Sequence, residues 1–215
     1  MFNSEPSEFG EVSFTIDRKP ISLQSKSYRK EEFKEYVREI IKSSTYLFSN
    51  DTQVDITWHI HEENRFEDSS AIDVDNIIKP LLDALSGPKG LFIDDTQVQS
   101  VSCNWLDSYK KDEEYLTVTI KSLPDDFIIK KDLIFIEFSK NICLPFKLDW
   151  DTDFQRTILR LWESMLKTRD NLIKKGKSYY EAKYVMPIQR VFHKSKLSDF
   201  KIMSLEEIRK HLDDT

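Results

Sequence analysis

The apolar period of this chain changes repeatedly in its first 122 residues, and that change restricts the fold more than any other feature. Val54, Ile56, Trp58 and Ile60 alternate with Asp55, Thr57, His59 and His61, the period of a strand with one buried face. Residues 75–86 then carry Ile77, Ile78, Leu81, Leu82 and Leu85 at helical spacing, with Gly87 placed to end the helix. Pro80 lies inside that helix and removes one backbone bond. Residues 115–120 return to strict alternation, as do residues 11–17. Residues 28–48 carry Phe33, Tyr36, Val37, Ile40 and Ile41 on one helical face. Residues 91–106 read as one or two strands, entered by Asp94 and Asp95. Strands and helices interleaved in this way predict an α+β fold, a small mixed β-sheet packed with helices.

Composition shifts near residue 123, which predicts a domain at 1–122 and a mainly helical C-terminal extension at 123–215. The extension holds one strand, 133–138, and a long helix, 151–175, capped by Asp151 or Asp153. That helix carries Phe154, Ile158, Leu161, Trp162, Met165 and Leu166. A second helix is predicted over 179–192, interrupted by Pro187, and a third follows the capping box Ser204-Leu205-Glu206-Glu207. Trp105, Trp150 and Trp162 read as core or interface residues. At 215 residues, 39% apolar and 33% charged, the chain suits one core, or one domain plus an extension. No apolar run reaches the roughly 18 residues that span a membrane. The first five residues lack a signal-peptide pattern. Cys103 and Cys143 form no CxxC pair. These features predict a cytoplasmic protein with reduced thiols and no membrane partner.

The net charge of −6 is unevenly distributed. Residues 1–122 carry −9 and residues 123–215 carry +3. Lys174, Lys175, Lys177, Lys183, Arg190, Lys194, Lys196 and Lys201 face only Glu181 and Asp199 within 174–201. Tyr179, Tyr180, Tyr184, Phe192 and Phe200 are interleaved with these bases. Such a stripe fits a polyanion, by phosphate contact and base stacking. It equally fits a solvated helix face over core aromatics.

Asp73, Asp75, Asp94 and Asp95 bring four carboxylates close to one ammonium, Lys79. Acids this dense repel one another unless a cation separates them. Oxygen donors without His or Cys favour hard cations such as Mg²⁺ or Mn²⁺. Asp75 and Lys79, four apart, share a helix face that Asp83 extends. The plainer account is helix capping plus ion pairs, including a Lys79–Asp75 salt bridge. An EF-hand does not fit, because Ile78 occupies the sixth position where the loop needs Gly. A phosphatase-type nucleophile would end an apolar strand, and residues 65–70 are not one.

The run Asp73-Val74-Asp75-Asn76-Ile77-Ile78-Lys79-Pro80-Leu81-Leu82-Asp83-Ala84-Leu85, followed by Asp94-Asp95-Thr96-Gln97-Val98, resembles the signature of RusA-type Holliday junction resolvases. The upstream segment Lys19-Pro20-Ile21-Ser22-Leu23-Gln24-Ser25-Lys26 is similar to one near the start of many such sequences. The resemblance covers about residues 10–122. It implies a RusA-like fold and a Mg²⁺-dependent endonuclease, with Mn²⁺ a possible substitute, acting as a homodimer on four-way DNA. It places the metal-binding acids on Asp73, Asp75 and Asp95, the essential lysine on Lys79, and a further common acid on Asp94. Lys26 and seven stripe residues (Lys174, Lys175, Lys177, Lys183, Arg190, Lys194 and Lys196) are candidates for DNA contact. Other branched or flapped DNA, or a non-catalytic DNA-binding role, are the alternatives. His59 and His61 share a strand face but lack a third ligand for zinc. Ser22 and Gln24 either contact phosphate or cap the next helix.

Overall fold

A computed structural model describes residues 2, 5, 7–68 and 73–214. The chain divides into two compact units, Met1–Lys130 and Lys131–Thr215.

In the first unit, β1 (Glu11–Ile16), α1 (Ser27–Ile41), β2 (Tyr46–Phe48) and β3 (Thr52–Ile60) are followed by α2 (Glu62–Phe66) and α3 (Val74–Leu85). Then come β4 (Val98–Asp107), β5 (Tyr115–Lys121) and β6 (Phe127–Ile129). Four strands form a sheet in the order β1-β5-β3-β4. Strands β3 and β4 are parallel, and the other pairs are antiparallel. A parallel pair needs a crossover, and α3 lies within it. The alternation along the strands sends Val12, Phe14 and Ile16, Val54, Ile56 and Trp58, and Leu116, Val118 and Ile120 into one core. Phe33, Val37 and Ile41 of α1 and Ile77, Leu81 and Leu85 of α3 join the same core. The opposite face is a polar ladder. Ser13 meets Thr119 at 2.9 Å, Ser102 donates to Asp55 at 2.7 Å, and Lys121 pairs with Asp55 at 3.0 Å.

The helix expected over residues 28–48 stops at Ile41. Tyr46, Leu47 and Phe48 form β2, which pairs with β6. All three are buried, as a short strand in the interior requires. Its partner lies about eighty residues away in the chain, so local periodicity carried no sign of it. The same pairing ties residues 127–129 to the first unit, past the composition shift at 123.

In the second unit, β7 (Leu133–Glu137), β8 (Ile142–Lys147), α4 (Thr152–Lys174), α5 (Tyr179–Ala182), β9 (Phe192–His193), β10 (Ile202–Ser204) and α6 (Leu205–Asp213) follow in order. The helices are accompanied by a sheet of order β10-β7-β8-β9, in which β10 and β7 are parallel. The helix expected over 179–192 reduces to α5 and one 3₁₀ turn, Lys183–Val185. Helix α4 is capped by Asp151, which accepts from the backbone N–H groups of Asp153 and Phe154. Its buried stripe is Gln155, Leu159, Trp162, Leu166 and Arg169, whereas Phe154 and Leu161 are about half exposed at 49% and 51%. Two polar positions therefore complete a stripe that hydropathy alone misplaces. Ser204 and Glu207 form the expected capping box on α6. Among the described residues no helix is long and apolar enough to cross a membrane. Both cysteines are free thiols.

Candidate active site

Helix α3 supplies most of the candidate site, and Pro80 determines how its first turn is used. Proline has no N–H to give to the carbonyl four residues back, which is that of Asn76. The Asn76 carbonyl instead accepts the N–H of Leu23 at 2.8 Å. The break in the helical ladder thus anchors the loop between β1 and α1 to the turn bearing Asp75. Pro80 itself is buried, and α3 continues past it to Leu85.

The outward face of α3 carries Asp75, Lys79 and Asp83, all exposed. The Nζ of Lys79 lies 2.7 Å from Asp83 and 2.5 Å from Asp95. The helix partner of Lys79 is therefore Asp83, one turn further on, in place of the Asp75 partner considered from sequence. Burial lowers the affinity of Lys79 for its proton, but the hydrogen bonds and charges of Asp83 and Asp95 outweigh this. Its pKa is raised above the ordinary lysine value, so the group remains an ammonium.

Asp73 stands at the N-cap position of α3, where Asn76 N–H bonds its backbone carbonyl at 3.0 Å. Its carboxylate makes no capping bond. Residues 69–72, which include the end of the 65–70 stretch that is unlike a phosphatase strand, lie outside the described residues.

Asp94 and Asp95 do not enter a strand, as the sequence predicted. Asp94 caps the 3₁₀ turn Asp95–Gln97, which precedes β4. Its carboxylate accepts the N–H of Thr96 at 3.1 Å and it is buried. Asp95 is turned towards Lys79. A capped turn separates two neighbouring acids into different environments; strand alternation was the wrong geometry for this purpose.

Gln97 holds this turn in place, and sequence analysis did not single it out. Its side chain is 0% exposed. Its Oε1 accepts the N–H groups of Ile93 at 2.7 Å and Asp94 at 3.0 Å. Its Nε2 donates to the carbonyls of Phe48 at 3.0 Å and Asn50 at 2.8 Å. One amide thus fastens the acid-bearing turn to the end of β2. A glutamine two residues after the paired acids was the available signal. Upstream, Gly90 packs against the end of α3, where an added Cβ would lie 2.0 Å from the Leu85 carbonyl. This close approach lets the chain reverse and return residues 91–95 towards α3.

The structure therefore brings Lys79 and Asp95 into contact and places Asp75 one turn away on the same helix face. Among the described residues no group of three His, Cys, Asp or Glu side chains is gathered as a metal cluster. Mg²⁺ does not need such a cage, since it commonly takes one or two carboxylates and completes its shell with water and phosphate. The all-oxygen donors, including an Asp73 carboxylate that makes no capping bond, fit this open kind of site. The histidine pair has other partners. His59 Nε2 meets Thr117 at 3.1 Å while its ring stacks on Tyr115, and His61 caps α2.

The basic stripe is divided among several elements. Lys174 ends α4, with Lys175 its C-cap. Lys177 pairs with Glu181 at 3.1 Å and Lys194 with Glu137 at 2.7 Å. Lys183 lies over Tyr180 and Arg190 over Phe192. Lys196 lies in the 3₁₀ turn after β9. Phe192 and Phe200 pack on Phe135, whereas Tyr179, Tyr180 and Tyr184 are exposed. Lys26 is the N-cap residue of α1 and makes no side-chain cap. Ser22 Oγ accepts the Gln24 N–H at 3.2 Å, the bond of a local turn.

An exposed lysine thus joins two acid-bearing elements on an α+β frame. Residues 17–121, from the end of β1 through β5, match the family model of endodeoxyribonuclease RusA. This segment belongs to the RusA endodeoxyribonuclease family. No curated protein matches the chain.

Proposed function

We propose that the chain is a divalent-metal-dependent endodeoxyribonuclease that cuts branched DNA, four-way junctions above all, as a homodimer in the cytoplasm. The observation that carries this reading is the contact of Lys79 with Asp95 within a segment of the RusA family. Asp73, Asp75 and Asp95 are the acids from which the cation would take one or two ligands, with Mg²⁺ the natural occupant and Mn²⁺ a substitute. When bound, the metal activates water and neutralises phosphate charge. In the hydrolysis, a water oxygen bonds to phosphorus while the bond to one sugar oxygen breaks. Lys79 remains charged throughout the neutral range, so its part is electrostatic. As phosphate enters, the ammonium shifts from its carboxylate partners towards the phosphate oxygens, where negative charge grows in the transition state. Asp83 keeps the lysine extended along the helix. Asp94 supports the turn as its cap and is not assigned a metal. A two-fold dimer would present two such sites to a two-fold junction, allowing paired nicks.

The separate core of residues 131–215 favours one variation on this reading. A unit that folds around its own core and lies outside the family match is suited to choosing which branched DNA reaches the nuclease. Cleavage of a labelled four-way junction in Mg²⁺, beside a flap and a linear duplex, tests both readings. Junction-selective nicks, reduced at least about 100-fold in Asp75→Asn, are expected. Equal cleavage of flaps would reassign the substrate, and tight junction binding without cleavage would leave a binding module.

A further inference from the structure

Between the end of β1 and the first turns of α1 lies an open cleft of about 520 Å³, within the size range of small-ligand pockets. Pro20, Ile21 and Phe33 give it an apolar floor, and the side chains of Arg18, Lys19 and Arg29 provide cations at its wall. Glu32 is the acid among its lining residues. It pairs with Arg18, which also lies over the Tyr36 ring at 5.2 Å. Lys19 is drawn to Glu114 at 3.7 Å. Arg29 is different. It is exposed, and its Nε contacts the neutral Tyr28 hydroxyl at 3.3 Å.

The position of the cleft matters as much as its lining. Its wall includes Ser22, whose neighbour Leu23 donates to the Asn76 carbonyl freed by Pro80. The cleft is thus joined by backbone to the turn that carries Asp75. This site lies in the most acidic part of the chain, where residues 1–122 carry −9. Such a body repels a phosphate backbone, so cations without acidic partners have large leverage over where a strand approaches.

We infer that this cleft seats one nucleotide of the DNA strand being cut, its phosphate on Arg29 and Lys19 and its sugar on Pro20, Ile21 and Phe33. Apolar and cationic surfaces side by side match the two halves of a nucleotide, whereas an acidic peptide would leave the floor unused. Arg29 carries more of the binding than Lys19, because Glu114 offsets part of the lysine charge. The inference rests on the nuclease reading and adds a strand-holding surface to it.

The test measures binding of a labelled four-way junction and a labelled single strand over a range of NaCl, in an Asp75→Asn background that holds cleavage off. Arg29→Ala should weaken binding about fivefold and lower the salt slope by about one counterion, while Arg29→Lys should restore the slope. In the cleaving protein, Arg29→Ala should raise KM and leave kcat near that of the wild type. Arg29 is exposed on a helix, so alanine there leaves the fold intact. Unchanged affinity and slope would overturn the inference even if junctions are cut. If the wild type cuts no junction but the slope for the single strand still falls in Arg29→Ala, the cleft stands and the junction reading fails.

Discussion

The two units use buried polar groups for opposite purposes. In the first, Gln97 is enclosed and its four hydrogen bonds hold a turn whose half-buried Asp95 reaches the exposed Lys79. In the second, the enclosed charge serves the fold alone. Arg169 of α4 is 2% exposed and binds Asp170 through Nε at 2.9 Å and Nη2 at 2.5 Å. Asp170 also accepts from Ser139 at 3.2 Å and Lys140 at 3.3 Å. These bonds secure the turn between β7 and β8, where Lys140 and Asn141 have positive φ values of 60° and 59°. Burial favours the neutral acid at Asp170, yet Arg169 and Lys140 hold its pKa below the usual carboxylate value. Buried polarity alone therefore does not mark function. What distinguishes the two cases is whether the bonds end on a packed turn or extend to exposed ionisable groups.

Replacing Gln97 by Leu should break this contrast most severely. It leaves two N–H groups and two carbonyls to find new partners, each buried loss costing about 1–3 kcal/mol. Urea unfolding should show about 3 kcal/mol less stability, and junction cleavage should fall in protein that remains folded. Full activity in folded Gln97→Leu would show that the turn does not position Asp95. Arg169→Met should cost a similar or slightly smaller amount, about 3 kcal/mol, because it leaves Asp170 short of its main partner. Here kcat at a temperature where the protein is folded should be unchanged. A selective loss of kcat would erase the distinction between the units.

The smallest effect is expected at Lys130, at the end of the first unit. Burial pushes its pKa down from 10.5 to about 8. At Lys130 the folded state therefore binds fewer protons than the unfolded state between those values, so this residue's contribution to stability should rise as pH increases from about 8 to 10.5, against the opposite contribution of the Cys103 and Cys143 thiols, which burial raises from 9.0 to about 11. Lys130→Met should flatten that rise and increase Tm modestly at neutral pH. A stability-versus-pH curve of the same slope in wild type and Lys130→Met across this interval would contradict the assignment.

Strand alternation and helical stripes were legible because each is a local record of one buried face. The strand through Ile60, the helix bearing Lys79 and the cap of α4 all follow from neighbours within a few residues. Where a residue's partner is distant in the chain, local pattern failed. Tyr46 looked like the end of a helix because β6 was not in view. Asp95 looked like a strand residue because Gln97 bonds to Phe48 and Asn50, far upstream. Two of the three unexpected strands in the C-terminal sheet have the same origin, since β9 and β10 are only two and three residues long and pair with β8 and β7.

The sequence by itself determined the longer strands and helices and which residue types crowd the candidate site, because periodicity, caps and charge act over short distances. It also carried the family signature of residues 17–121. Only the tertiary structure decided that Lys79 joins Asp83 and Asp95, that Asp94 caps a turn, and that Pro80 frees the Asn76 carbonyl for Leu23. Those outcomes depend on which charges, donors and acceptors meet after the chain has closed its loops. A buried polar group takes whichever partner the fold brings to it, since leaving it unpaired costs more than any local preference.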